Sequence, residues 1–291
     1  MHLNYAVDLI AAASNRPLHE VELEHEVLKS GQSAQEIRSY LARVLQVMSN
    51  AVSDAIHDED NRILGKIIGH DSVRIRRRIE THRTVCGSTI ATAAAYAIGT
   101  MEVNASMGKV VASPTAGSCG VLPAVLMTTR DRFQLSEEQL VDGLLVANAI
   151  GRLIAGHATI AGAEGGCQAE VGSASAMASG AVVHMMGGSP EQVFHAAAIC
   201  LKNLMGLVCD PIAGLVESPC AKRNAIGAAN ALMCAELALA GVPSIVPFDE
   251  AVEAMYRVGR ALPPSLRETS LGGIATTKTA LQIQANLFQN K

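Results

Sequence analysis

The chain has 291 residues, with 23 Lys and Arg against 27 Asp and Glu for a formal net charge of −4. No long block of like charge occurs, so the electrostatic footprint of a nucleic-acid binder is missing, and the length is ample to bury a core without disulfide staples. Apolar residues make up 49 % of the chain but aromatics only 3 %, with 25 Gly and no Trp, so the apolar mass is aliphatic and small.

The opening "MHLNYAVDLI" has no basic stretch leading into a sustained apolar run, and no signal peptide is expected. Seven cysteines, an odd count, then fit a reducing, cytoplasmic setting in which thiols are ligands, catalysts or core fillers. Residues 1–65 are richer in charge than the middle and read as a peripheral helical arm on a single domain spanning 1–291. Ser33 and Glu36 form a capping box, after which Ile37, Leu41, Val44, Met48, Val52 and Ile56 recur at helical spacing. "RIRRRIETHR" (74–83) is interrupted by Ile75, Ile79 and Glu80 and reads as a solvated helix face, with a phosphate or carboxylate site as the alternative. "GKVVAS" (108–113) is the best short strand candidate. Ser136 and Gln139 repeat the capping device. "VGSASAMASGAVVHMMGGSP" (171–190) carries no formal charge and is long enough to cross a membrane. Its Ser and Gly content and His184 point instead to a close-packed helix in a soluble protein. Ser189 caps a helix with Pro190 at its first position, and a last clear helix runs from Pro247 to before Pro263-Pro264. The expected class is all-α, with helix well above half of the residues.

Polar residues collect in Gly/Ser/Pro-rich junctions between these helices: "ASPTAGSCG" (112–120), "AGAEGGC" (161–167), "GSASA" (172–176) and "CDPIAGLVESPC" (209–220). Loops set by a rigid scaffold are where chemistry concentrates. The first exposes backbone N–H groups and the hydroxyls of Ser113, Thr115 and Ser118, which suits a carboxylate or phosphate at a helix start; an ordinary capped turn reads the same way.

No CxxC occurs, which disfavours a thioredoxin-like pair and the common zinc spacings, and a ferredoxin-type run is absent too. Cys167, Cys209 and Cys220 each lie in a Gly- or Pro-containing junction. Cys200 and Cys234 sit in apolar helical patterns, where an inert thiol is the default. Cys119 fits either description, and Cys86 stands at a helix start without an evident partner. Pattern alone leaves a three-cysteine metal site and three small core residues both open.

"SPTAGSCGVLPAVL", "GAEGGCQAEVGSASAMA", "LKNLMGLVCDPIAGLVESPCAKRNAIGAANA" and "MYRVGRALPPSLRETSLGGIA" resemble the α chain of the iron–sulfur-dependent L-serine dehydratases. The resemblance is strong over residues 100–275 and weak before them. It implies conversion of L-serine to pyruvate and ammonia. It also implies a [4Fe–4S] cluster on three cysteines, which by position in the motifs are Cys167, Cys209 and Cys220. Three thiolates leave one iron open as a Lewis acid for the substrate. The loop of Ser113, Thr115, Gly117 and Ser118 is then the expected contact for the serine carboxylate. Pyridoxal phosphate, the other route to this reaction, has no support: none of the seven lysines sits beside a Gly-rich phosphate cup. Lys222, two residues after Cys220, reads as a cation beside the cluster.

The α-proton base is not legible. Glu164, Glu170, His157, Asp210 and Glu217 are candidates, as are the hydroxyls of Ser113, Ser118 and Ser173. The family commonly reads Asn-Ala-Ser-Ile-Ser-Gly-Ala before the first ligand; here "HATIAGA" places His157, Thr159 and Ala161 there, which puts the substrate fit in doubt and leaves desulfidation of L-cysteine or a non-catalytic paralogue as alternatives. No cysteine follows Cys234, so the tail offers no thiolate. In family members of this length the regulatory domain is a separate β chain, so a β partner and an oligomer are expected, with no nucleic acid and no membrane.

Overall fold

A computed structural model of the chain describes residues 3–288 except 59 and 61. Among the described residues 71 % are helical, in thirteen α-helices without a strand, in agreement with the all-α reading. The first four helices are α1 (Ala6–Ala12), α2 (Leu18–Ser30), α3 (Ala34–Ile56) and α4 (Asp71–Glu80). The middle of the chain forms α5 (Gly87–Ala105), α6 (Val121–Phe133), α7 (Glu137–His157), the single turn α8 (Gly162–Gly165), α9 (Ser173–Met185) and α10 (Pro190–Leu204). The last three are α11 (Cys220–Leu239), α12 (Phe248–Ala261) and α13 (Lys278–Phe288).

The start signals work as the sequence suggests. Ser33, Ser136 and Ser189 hydroxyls accept from Glu36, Gln139 and Gln192 N–H at 3.3, 3.2 and 3.3 Å, satisfying N–H groups that have no partner within the helix. The strand expectation at 108–113 fails. The segment is extended but unpaired, because every element around it is a helix; Val110 and Val111 pack into the core instead.

Helix α9 is the axis of the molecule. Every residue from Ser173 to Val183 is buried, and α6, α7, α10 and α11 pack around it. Small side chains permit this: a methyl group added at Gly180 would overlap Ile150 of α7 and come within 3.2 Å of Val193 of α10. Helix α7 is long and apolar enough to cross a membrane by composition, but it is 67 % buried against its neighbours and carries ion-paired Asp142 and Arg152. Helix α4 turns Arg74, Arg77 and Arg78 to solvent, with Arg74 70 % exposed and paired to Asp71, while Arg76 is half-buried.

Buried ion pairs tie the N-terminal helices to this core. Glu22 is fully buried and takes two bonds from Arg152, at 3.1 and 2.8 Å. Without that partner the buried carboxylate would be strongly destabilising. Arg38 of α3 pairs with Asp142 at 2.7 Å, and the His19 and His184 rings share a 2.8 Å hydrogen bond. Burial, helped by His19 and opposed by Asp142, pushes the His184 pKa down to about 4.

Between the ordinary histidine value of 6.5 and about 4, the unfolded chain binds a proton on this ring that the folded chain does not. Stability therefore falls as pH drops through that window and is fully present above it. The loss is up to about 3 kcal/mol, and His184→Gln should flatten it in urea titrations at pH 7, 6, 5 and 4.

Candidate metal centre

Four junctions meet at one end of α9 and α11. The turn from α8 delivers Cys167 and then a π-helical turn, Gln168–Gly172, that leads into α9. Glu170, three residues after Cys167, lies on the same side of the turn, its Oε2 4.0 Å from the Cys167 thiol. The loop after α10 delivers Cys209, also 4.0 Å from that oxygen. The ligand atoms of Cys167, Glu170 and Cys209 all lie within 4.8 Å of one another, and all three residues are buried. Cys220, the first residue of α11, is buried at 5 % exposure. It stands outside that closest group but within electrostatic reach of Cys167 and Glu170.

The electrostatics follow from burying anionic groups together. Cys167 is held below the usual thiol range, first by the hydrogen bond from Cys209 and further by Arg223, whose Nη1 is 3.7 Å from its sulfur. Cys209 is raised because it donates that bond and because it is buried. Burial pushes Cys220 up to about 12. It also raises Glu170, against the pull of the Thr115 hydroxyl, which donates to Oε1 at 2.7 Å. Arg223 is further ion-paired to Asp210 at 2.8 Å and donates to Val208 O at 2.8 Å.

The 113–118 loop is part of this site. Thr115 binds Glu170 directly. Gly117 lets the chain approach so closely that an added Cβ would sit 2.8 Å from Glu170 Oε1, and one at Gly162 would sit 3.2 Å from the Cys209 sulfur. Ser118 is fully buried beside the Thr115 hydroxyl at 3.2 Å, and Ser113 is buried with its hydroxyl donating to Val111 O at 3.4 Å. Asn224, one turn after Cys220, fastens the loop. Its Nδ2 donates to Gly117 O at 2.8 Å and to Cys220 O at 2.9 Å, and its Oδ1 accepts from Gly120 N at 3.0 Å.

The other candidates separate clearly. Glu217 accepts N–H bonds from Lys66, Ile67 and Ile68 at 3.1, 2.7 and 3.1 Å and serves as a clamp on that loop. Asp210 accepts from Ile274 N at 2.7 Å besides its pair with Arg223. Glu164 is exposed. His157 is exposed at the end of α7, stacked on Tyr5 at 4.6 Å, and does not reach the thiols. Thr159 accepts from Ala161 N at 3.1 Å. Ser173, the first residue of α9, has a buried hydroxyl without a hydrogen-bond partner. Lys222 binds Asp71; the cation against the thiols is Arg223. Cys119 is core, held up to about 12 by burial, and Cys86 is exposed at the start of α5. Cys200 and Cys234 are buried as expected, though with polar neighbours: Ser175 donates to Cys200 at 3.4 Å and Asn203 to Cys234 at 3.4 Å.

The model of the family described as "Serine dehydratase alpha chain" matches residues 13–275. The chain belongs to the serine dehydratase alpha chain family. It is 45 % identical to the L-serine dehydratase, alpha chain, of Peptoniphilus asaccharolyticus over 99 % of both chains. It is 43 % identical to a probable L-serine dehydratase, alpha chain, of Bacillus subtilis over 93 % of this chain and 90 % of that one. Against L-serine dehydratase 2 of Escherichia coli the identity is 38 % over 84 % of this chain, covering 54 % of that longer protein.

No local pattern in the sequence singles out Arg223 and Asn224, although positions three and four after Cys220 on a helix share its face. Asn224→Ala would leave two carbonyls and one N–H without their partner. Urea unfolding should show a loss of about 2–3 kcal/mol, and Asn224→Asp should recover part of it through the bond to Gly120 N.

Proposed function

We propose that this family member is the α subunit of an L-serine dehydratase, releasing pyruvate and ammonia from L-serine, with Cys167, Cys209 and Cys220 holding a [4Fe–4S] group. The observation that carries this reading is the convergence of Cys167 and Cys209 on the buried carboxylate of Glu170, with Cys220 in electrostatic reach. Soft thiolate donors suit iron–sulfur groups, and the lysine nearest in sequence to these thiols among the described residues, Lys222, is engaged by Asp71 rather than free to hold a cofactor. Such a group, when bound, supplies a Lewis acid that makes the β-hydroxyl a better leaving group.

The chain's own residues do the rest. Arg223 offsets the negative charge of Cys167. Burial raises Glu170, and the Thr115 hydroxyl holds it in place beside the thiols. Ser113, Thr115, Gly117 and Ser118 form one wall of the substrate pocket, fixed by Asn224. Close packing of buried α9 and α11 behind the site keeps bulk water from the reacting carbon.

A separate β chain completes the enzyme in this reading. Two relatives that this chain matches nearly end to end are named as alpha chains, whereas it spans about half of the longer Escherichia coli protein. The cytoplasm is the fitting compartment for an oxygen-sensitive group on reduced thiols.

The test is pyruvate release from L-serine, L-threonine and L-cysteine by protein purified without air, with and without its co-expressed β chain. L-serine should be the preferred substrate and the partner should be required. Ser118→Ala should raise KM for L-serine about tenfold with the cluster absorption unchanged. Faster turnover of L-cysteine would make the enzyme a desulfidase, and full activity of the α chain alone would remove the partner.

A further inference from the structure

An α-amino acid brings a carboxylate to a site that already holds buried thiols and Glu170. The 113–118 loop offers only neutral donors, and Thr115 spends its hydroxyl proton on Glu170 at 2.7 Å. Gly117 lies against the same carboxylate. A substrate carboxylate placed beside these groups needs a cation, because like charges in a low-dielectric site repel strongly.

Three cationic side chains border the site. Lys222 is bound to Asp71. Arg223 is engaged by Asp210, Val208 O and Cys167. Arg267 differs from both. Among the described residues no carboxylate lies within ion-pair distance of it. Nη1 makes one long bond to Glu164 O, at 3.4 Å, and its Nε is buried with no hydrogen-bond partner. An unpaired buried N–H on a charged group is costly, and such a group usually has a partner still to come.

Its position fits that role. Cys209 N donates to Leu266 O at 2.9 Å and Glu268 N donates to Cys209 O at 2.7 Å, so Arg267 and Cys209 pair side by side in a parallel bridge. The contact with Glu164 O sets the guanidinium on the turn that carries Cys167. The segment around it is held in place: Ile274 N donates to Asp210 at 2.7 Å and Ser270 donates to Pro211 O at 2.7 Å. Glu268 and Ser270 take left-handed backbone angles of +65° and +56°, a cost of order 1 kcal/mol or more each that surrounding contacts must offset.

We propose that Arg267 binds the α-carboxylate of the amino-acid substrate through its Nε–H and Nη2–H edge, a two-point pair. The proposal rests on the L-serine dehydratase reading, since it takes the substrate class from it. Nη1 keeps the orienting bond to Glu164 O while the other edge meets the ligand.

L-Alanine has the same carboxylate and no leaving group, and L-alaninamide replaces that carboxylate by a neutral amide. Their inhibition constants against L-serine, and their dissociation constants by calorimetry, are measured on the cluster-loaded α chain with its β partner. Wild type should prefer L-alanine by about 100-fold. Arg267→Met should reduce that preference to less than about threefold, and Arg267→Lys should recover part of it, with iron content unchanged in both. A preference that survives in Arg267→Met, or no binding of L-alanine by wild type, would overturn the assignment, as would equal weakening of both ligands together with lost iron. If wild type binds L-alanine through Arg267 yet releases no pyruvate from L-serine, the carboxylate site stands and the dehydratase reading falls.

Discussion

Thiols and a carboxylate buried within 4.8 Å of one another cannot all carry charge in a low-dielectric interior. The surrounding structure answers that constraint. Cys209 lends a proton to Cys167, Arg223 supplies a positive charge at 3.7 Å, Thr115 donates to Glu170, and burial keeps Cys220 and Glu170 toward their neutral forms. Gathering these groups in one buried place works against stability, since each disfavours the charged form of the others. The glycines at 117 and 162 belong to the same design, since any side chain there would collide with the carboxylate.

Rigidity comes from the helices behind the site. Helix α9 is buried along most of its length among small residues, which lets helix axes approach and fixes where each junction emerges. The three thiols then come from helix boundaries: Cys167 before the turn into α9, Cys209 after α10, and Cys220 at the first residue of α11. Asn224 and Arg223 stand one turn inside α11 and bind the neighbouring loops, so the helix that supplies the third thiol also holds the rest of the site in register. Segment 266–274 covers Cys209 from the other side and carries Arg267 with it.

Much of this is written locally in the chain. The capping boxes at Ser33, Ser136 and Ser189 mark helix starts because their hydrogen bonds are made within four residues. The junction cysteines stand out because Gly and Pro break the helical pattern around them. What depends on distant partners is not local. Glu217 and Asp210 look like catalytic acids in their loops, yet Glu217 is taken up by N–H groups of residues 66–68 and Asp210 by Ile274 N and the Arg223 ion pair. His157 sits in a motif but points to Tyr5. The extended run at 108–113 has strand-like residues, and only the absence of a neighbouring strand decides against it. The Cys167–Glu170 contact is a local i,i+3 pair, but that Cys209 joins them from a loop 39 residues after Glu170 is not local.

The central claim is that Cys167, Cys209 and Cys220, and no other cysteines, hold the metal. Iron and acid-labile sulfide per chain, measured after anaerobic reconstitution of wild type and of single Cys→Ser variants, test it most directly. The account predicts about four of each per chain in wild type, as a [4Fe–4S] group requires. It predicts near-complete loss in Cys167→Ser, Cys209→Ser and Cys220→Ser, and retention in Cys200→Ser and Cys119→Ser. Full iron and sulfide in Cys220→Ser, or metal bound without sulfide in wild type, would contradict it.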